Sequence, residues 1–426
     1  MNILVLGSGG REHTIAHQLH LSPQADQIFV APGNAGTKQI ATNVEVDLSN
    51  FGAIADIIKR NNIKMLIVGP EAPLVDGITD YFNAKPNFKD LMIIGPSKKG
   101  AELEGSKKRA KEFMKSHNIP TAAYQSFTSE TLTQGFNFLE SLQPPYVLKA
   151  DGLAGGKGVL ILDNLKEAKQ ELSNMLTNQK FGSASQKVVI EEFLNGIELS
   201  VFVLTDGKDY TILPNAKDYK RIGEGDTGLN TGGMGAVSPV PFADELFMKK
   251  VEDKIIKPTI NGLAKEEIDY KGFVFIGLMK VEDEPYVIEY NVRMGDPETE
   301  VVLPRIKTDL VDALTKTATS QINSLQLDID EKSATTVMLV SGGYPEAYNK
   351  GEEILGLETI NNQDIFICHA GTTEKNSKTL TNGGRVIAVT AFDLNFKNAL
   401  KKAYNSIDKI SFKNKYYRTD IGKDLA

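Results

Sequence analysis

The chain opens with four consecutive apolar residues, Ile3-Leu4-Val5-Leu6, that run into Gly7-Ser8-Gly9-Gly10. A short unbroken apolar run bounded by glycine predicts a strand buried on both faces, as in a parallel sheet. Residues 11–21 have helical spacing, 27–30 and 64–68 read as further strands, and 51–60 as the helix between them. A fourth strand is predicted over 91–94, and the last two strands end in Gly69-Pro70 and Gly95-Pro96. Repeated strand–loop–helix units predict a doubly wound parallel sheet with ligands at the carboxyl ends of its strands.

Beyond this region the pattern changes. A helix is expected from about 101 through Glu104-Gly105-Ser106-Lys107 to Met114, ended by Asn118-Ile119-Pro120. Residues 122–190 read as a small α+β unit with strands at 146–149, 159–162 and 187–190 and a helix at 165–176. A larger α+β segment continues to a linker at Asn323-Ser324, and the last part carries strands at 335–340, 365–368 and 385–390 and a helix around 400–407. The expected division is 1–102, 103–325 with 122–190 as a subdomain, and 326–426. We find no internal repeat.

Composition adds boundaries rather than chemistry. Of 426 residues, 41% are hydrophobic and 24% charged, the mix of an ordinary soluble protein. The net charge of −7 argues against general affinity for nucleic acid or membrane surfaces, while permitting local basic clefts. The lone Cys368 excludes an intramolecular disulfide and, following Ile365-Phe366-Ile367, is expected to be a buried structural thiol. No basic leader and no apolar run near ~18 residues is present, so a cytoplasmic enzyme without a membrane span is expected.

The chemistry concentrates in two stretches. Pro285-Tyr286-Val287-Ile288 reads as a strand that continues into Glu289-Tyr290-Asn291-Val292-Arg293-Met294-Gly295-Asp296-Pro297-Glu298. Strand alternation puts Glu289, Asn291 and Arg293 on one face, where hard oxygens suit Mg²⁺ and a guanidinium suits phosphate. Upstream, Lys149-Ala150-Asp151-Gly152-Leu153-Ala154-Gly155-Gly156-Lys157-Gly158 is a glycine-rich loop between two lysines. Its glycines let backbone N–H groups approach phosphates, and such a loop closes over a nucleotide. The segment Glu191-Glu192-Phe193-Leu194 ends a strand and offers backbone groups to an adenine edge, with Glu198 placed for ribose hydroxyls. Lys217-Asp218-Tyr219-Lys220-Arg221, followed by Asn230-Thr231-Gly232-Gly233-Met234-Gly235, suits a phosphorylated substrate or the triphosphate.

The first loop has a competing reading as a dinucleotide fingerprint. Glu12 stands where the third glycine would be, and the second strand ends in Val30-Ala31-Pro32-Gly33-Asn34 with no acidic residue for a ribose, which disfavours an NAD(P) oxidoreductase. The loop can still cradle a phosphate at a helix N-terminus, with Arg11 as a charged supplement. His13, His17 and His20 share helical spacing and read as helix-face residues ahead of a metal site.

Together these stretches resemble the ATP-grasp superfamily and, within it, the phosphoribosylamine–glycine ligase family, over essentially the whole chain. The resemblance rests on Gly7-Ser8-Gly9-Gly10-Arg11-Glu12-His13, Gly69-Pro70-Glu71-Ala72-Pro73-Leu74, Lys149 to Gly158, Asn230 to Gly235, Glu289 to Glu298, Ser341 to Pro345, Gly383-Gly384-Arg385 and Tyr417-Arg418-Thr419-Asp420-Ile421-Gly422. It implies an N-terminal pre-ATP-grasp domain, an ATP-grasp domain with a small mobile lid, and a C-terminal α+β domain. It implies magnesium (or manganese) on Glu289 and Asn291, and Arg293 and Lys220 as catalytic cations. ATP contacts fall on Lys107, Lys149, Gly155, Gly156, Lys157, Glu191, Glu192, Phe193, Leu194 and Glu198. The substrate side falls on Gly9, Gly10, Arg11, Glu71, Asp218, Arg221, Asn230 and Asp296. The implied reaction joins glycine to 5-phosphoribosylamine at the expense of ATP in a monomer, with no fused second enzyme. Tyr219 departs from the family's Asp-His-Lys-Arg, so it receives no acid–base role. The strand Phe275-Ile276-Gly277-Leu278-Met279 lacks the further acidic metal ligand of related enzymes. Another ATP-grasp ligase of purine metabolism, or a nucleotide-binding regulator without turnover, are the alternatives.

Overall fold

The computed structural model describes residues 1–425. Strands β1 (Asn2–Gly7), β2 (Gln27–Pro32), β3 (Thr42–Asn43), β4 (Ile63–Val68) and β5 (Met92–Ile94) form a parallel sheet of order β3-β2-β1-β4-β5. Ile3, Leu4, Val5 and Leu6 are fully buried, as the unbroken apolar run requires. Helix α1 (Gly10–His20) leaves the end of β1, and the strand order reverses between β1 and β4. The carboxyl ends of these two strands therefore form the crevice in which open α/β sheets bind ligands.

The single helix expected from about 101 is two helices, Lys98–Gly105 and Lys107–Ser116. Ser106 is extended and its Oγ accepts from the N–H of Arg109 at 3.1 Å, capping the second helix. The same Oγ donates to Asp151, tying the break to the glycine loop.

The subdomain after this pair holds β6 (Tyr124–Phe127), β7 (Tyr146–Ala150), β8 (Val159–Leu162) and β9 (Val188–Glu191) in antiparallel order β6-β9-β7-β8. Helices Leu132–Ser141 and Leu165–Thr177 cover it, and Phe127, Leu139, Leu148, Leu172 and Ile190 give it a core of its own. A unit with its own core can move as a body. Gly155 (φ +57°) and Gly156 (φ +75°) adopt the left-handed conformation that favours glycine in the loop joining β7 to β8.

Eight strands follow: β10 (Ile197–Thr205), β11 (Tyr210–Ile212), β12 (Lys217–Asp218), β13 (Arg221–Gly223), β14 (Thr227–Asn230), β15 (Gly235–Ser238), β16 (Gly272–Val281) and β17 (Glu284–Asn291). Strands β11-β10-β16-β17 form an antiparallel sheet. Gly277 pairs with Glu289 and Leu278 with Val287, so Ile288 is bulged out of the ladder. Strands β18 (Ser333–Val340), β19 (Ile365–His369), β20 (Thr372–Lys375), β21 (Lys378–Thr381) and β22 (Arg385–Asp393) complete the chain with helix Phe396–Ile407. A further five-stranded sheet runs β12-β15-β18-β22-β19, so β12 and β15 lie in the same sheet as strands from the last hundred or so residues. Pairing across that distance leaves no local signal. The linker expected at Asn323-Ser324 is a tight turn over Ile322–Ser324, anchored by the buried Ile322.

Candidate active site

A cavity of about 910 Å³ lies between the central sheet, the lid and the N- and C-terminal parts. Its polar floor is the end of β17. Glu289 and Asn291 both line it, and Arg293 continues the wall two residues beyond the strand. Burial opposes ionisation of Glu289, but Lys220, Lys107, Lys149 and Arg293 outweigh it and hold the carboxyl below its usual range. Glu289 makes no ion pair with these cations at contact distance. Asn291 Oδ1 accepts weakly from Arg293 Nη2 at 3.3 Å. No cluster of three carboxylate, histidine or cysteine residues that could cage a metal exists among the described residues. An ionised carboxylate beside an amide oxygen fits a magnesium ion that draws its remaining ligands from phosphate oxygens and water.

Arg293 is tightly held. Its Nη2 donates to Glu104 Oε1 at 2.7 Å and its Nε lies 3.4 Å from Glu71. Glu104 also accepts from the N–H of Val292 at 2.8 Å. Lys220 stands among carboxylates: its Nζ is 2.5 Å from Glu198 and 3.9 Å from Asp218. Burial works against the Lys220 charge, but Asp218, Glu198 and Glu289 raise its pKa well above the ordinary lysine range. Burial, with Glu198 and Glu289 close by, pushes Asp218 up against the pull of Lys220.

The lid side holds a buried triad. Glu191 Oε2 lies 3.0 Å from both Lys149 Nζ and Lys111 Nζ. The Glu191 side chain is thus a counter-ion for two lysines. Glu192 turns outward, its Oε1 accepting from the N–H of Ala123 at 2.8 Å. Phe193 and Leu194 line the cavity together with the apolar side chains of Ile161 and Met279 and the ring of Tyr290, a lining suited to an apolar or aromatic group.

A third cluster joins distant parts of the chain. Arg385, from the start of β22, donates to the carbonyls of Gly232 at 2.6 Å and Asp296 at 2.7 Å, and its Nη2 is 3.0 Å from Asp296 Oδ1. Asp296 Oδ2 accepts from the N–H of Arg11 at 3.3 Å. Arg11 itself donates to Glu12 at 2.6 Å and to the carbonyl of Met294 at 3.1 Å. The N–H of Gly9 is also taken, by Glu12 Oε2 at 2.7 Å. The first loop therefore directs donors at its own carboxylates, and Gly9 and Gly10 stay behind the cavity wall that Arg11 reaches.

The cavity wall includes Lys107, Lys149, Gly155, Gly156, Glu191, Glu192, Phe193, Leu194 and Glu198, together with Glu71, Asp218, Lys220, Arg221, Asn230 and Asp296. Lys157 is outside it, with Nζ 3.4 Å from the carbonyl of Pro345.

Family models of phosphoribosylglycinamide synthetase match the chain in series: the N domain over 1–104, the ATP-grasp (A) domain over 105–299 and the C domain over 334–424. Phosphoribosylamine–glycine ligase of Caldanaerobacter subterraneus subsp. tengcongensis is 42% identical over 99% of both chains. The chain belongs to the phosphoribosylamine–glycine ligase family. A bifunctional purine biosynthetic protein of Pichia angusta is 46% identical over 99% of this chain, which spans 53% of that longer protein. The solved structure of the ligase from Thermotoga maritima superposes with a TM-score of 0.84 at 36% identity, over 99% of this chain and 100% of that one. A biotin carboxylase domain from Hydrogenobacter thermophilus shares the fold, with a TM-score of 0.75 at 16% identity over 100% of this chain and 95% of that one.

Among the ligase family's members this chain carries wall residues that sequence reasoning missed. Lys111 falls one helical turn after Lys107, and that i, i+4 spacing was the available signal. Glu104, Arg385 and Asp424 gave none as site residues, because each meets its partner only across the folded chain. Tyr219 donates its hydroxyl to Asp424, itself a cavity-wall residue, at 2.6 Å. Cys368 is fully buried and accepts from or donates to Thr14 at 3.3 Å, as a structural thiol does. His13 and His17 pack against Phe366, and His13 Nδ1 accepts from the N–H of His369 at 2.8 Å.

Proposed function

We propose that the protein joins glycine to 5-phosphoribosylamine, converting ATP to ADP and phosphate and yielding glycinamide ribonucleotide. One observation carries this reading: Lys107, Lys149, Lys220 and Arg293 converge on the uncaged carboxylate Glu289 inside one cavity whose far wall is the Arg11–Asp296–Arg385 junction. A glycine carboxylate oxygen attacks the γ-phosphorus and ADP leaves; the amine then attacks the glycyl phosphate carbon and phosphate leaves. Such chemistry needs in-line placement and charge neutralisation more than a protein base. Lys149 and Lys107 bind the triphosphate, Arg293 stabilises the phosphoryl group in flight, and Lys220 orients the anionic reactants. Glu289 and Asn291 would hold Mg²⁺ (or Mn²⁺), which would supply charge neutralisation for the phosphoryl transfer.

The lid, 122–190, closes over ATP and keeps water from the acyl phosphate. The proposed division is 1–102, 103–325 and 326–426; the lid has a core of its own, whereas 1–102 and 103–325 contribute jointly to two shared cores. The proposed enzyme acts as a monomer on three small molecules, and no described helix is long and apolar enough to cross a membrane. The test is ADP release with Mg²⁺-ATP, omitting glycine or freshly generated phosphoribosylamine in turn. Turnover that needs both is expected; turnover supported by a different carboxylate would discard the substrate assignment.

A further inference from the structure

Glu300, on the short helix Thr299–Val302, is fully buried and takes no part in the chemistry above. Its Oε1 and Oε2 both lack a hydrogen-bond donor, whereas Asp296 Oδ1 one turn earlier has the Arg385 ion pair at 3.0 Å. Orphaned acceptors at this depth cost on the order of 1–3 kcal/mol each. Two of them on one fully buried acid therefore demand an explanation. Little positive charge reaches Glu300 at contact distance. Arg385 of β22 bonds to the carbonyls of Gly232 and Asp296 and pairs with Asp296 Oδ1 at 3.0 Å, making no ion pair with Glu300. From α1, Arg11 is spent on Glu12 and Met294. From β19, the fully buried Cys368 presents a thiol. Glu298, on the same segment, adds a further carboxyl, and Arg305 turns away to Ser238, Lys332 and Asp330. The cluster is also tightly packed: a Cβ on Gly10 would overlap Glu300 Oε1, so the buried carboxyl would have to move to admit one.

We propose that Asp296 and Glu300 share one proton, and that this pair is the positioning element that fixes Arg385 and the start of α1 at the acceptor end of the cavity. A single O–H turns one orphaned Glu300 oxygen into a donor with its acceptor on Asp296. Burial and Asp296 push Glu300 well above the usual carboxylate range against the pull of Arg385. Burial resists ionisation of Asp296, yet Arg385 and Arg11 hold it low, so the proton resides on Glu300. Asp296 stays anionic and keeps its bonds to the N–H of Arg11 and to Arg385. The positioning role rests on the ligase reading; the shared proton does not.

Infrared spectroscopy tests the proton directly. At neutral pH the difference spectrum between wild type and Glu300→Gln should show the carbonyl stretch of a protonated carboxylic acid, which ionised carboxylates lack. Asp296→Asn should shift that band by removing its partner. Thermal melts give a second readout. Folding of the wild type takes up a proton above the ordinary glutamate pKa, whereas Glu300→Gln carries no such cost. The folding constant of the variant relative to wild type should therefore grow by up to about tenfold per pH unit from pH 5 upward. Absence of the acid band, or a pH-independent difference, overturns the shared proton. In the ligase assay Glu300→Gln should preserve KM for the amine, while Glu300→Leu, which cannot donate, should raise it about tenfold with KM for ATP unchanged. Equal kinetics for the two variants overturn the positioning role. An acid band in a protein that lacks ligase turnover would sink the ligase reading and leave the proton in place.

Discussion

Lys111 offers a charge whose cost can be worked out. Its ammonium is buried beside Glu191 and Lys149, and donates to Thr121 Oγ1 at 2.7 Å. Burial lowers its pKa from 10.5 to about 8, with Glu191 resisting and Lys149 assisting the fall. At about 1.4 kcal/mol per unit, holding the proton in the folded state costs roughly 3 kcal/mol near pH 7. Because the folded value lies below the unfolded one, the unfolded chain keeps the proton longer. Stability therefore rises with pH between about 8 and 10.5, and that gain is lost as pH falls through 8. Lys111→Met removes the charge and the bond to Thr121. The variant should melt at or above the wild-type temperature at pH 7. Its advantage should shrink by roughly 2.5 kcal/mol by pH 10, where the wild-type cost has largely gone. Lys111 lines the cavity, where a buried cation can meet an anionic ligand. Wild-type KM for ATP should accordingly rise as pH passes 8, while Lys111→Met should start about tenfold higher and stay flat. Thermal melts and ATP titrations across pH 6.5 to 10 decide the matter. A variant that is less stable by the same amount at both ends of the range, or a wild-type KM that does not change with pH, refutes the reasoning.

Other outcomes follow from the same geometry. Glu289→Gln should raise the Mg²⁺ concentration for half-maximal turnover at least about tenfold with an unchanged melt, and an unaltered Mg²⁺ titration would remove Glu289 from the metal site. Arg293→Lys loses the planar fork that spans Glu104 and the cavity, and should lower kcat about a hundredfold with little effect on KM for ATP; wild-type kcat would show that the fork is not needed. Arg418 binds Asp226 at 2.6 Å and Asp420 at 2.7 Å and leans on the Tyr219 ring, holding the turn between β13 and β14. Arg418→Met should destabilise by roughly 2 kcal/mol, read as a lower melting temperature, because Asp420 loses its counter-ion while the exposed Asp226 loses little. An unshifted melt would show that the turn holds without the clamp.

What could be read in advance, and what could not, follows from the reach of each signal. The run Ile3 to Leu6 was legible because a strand buried on both faces is apolar at every position. Glu289 and Asn291 were legible because alternation along a strand is local. The break at Ser106 was written in the chain but misread: the serine and its preceding glycine end one helix and cap the next, and helical periodicity across them hid the cap. The partners of the site residues were a different matter. Arg293 looked free to bind phosphate, yet Glu104 and Glu71 grip it from the N-terminal side. Arg11 and the glycines beside it looked like a phosphate cradle, yet Glu12 and Asp296 take their donors. In both places a cation or donor read from sequence alone is a promise to any anion. Only the fold shows that a carboxylate of the chain already holds the group. Such carboxylates do more than fill space. A guanidinium gripped by Glu104 loses its rotamer freedom before the phosphate arrives, and that ordering is then no longer charged against binding. The sequence motif thus names which groups meet the substrates, and the long-range carboxylates determine how well they are aimed.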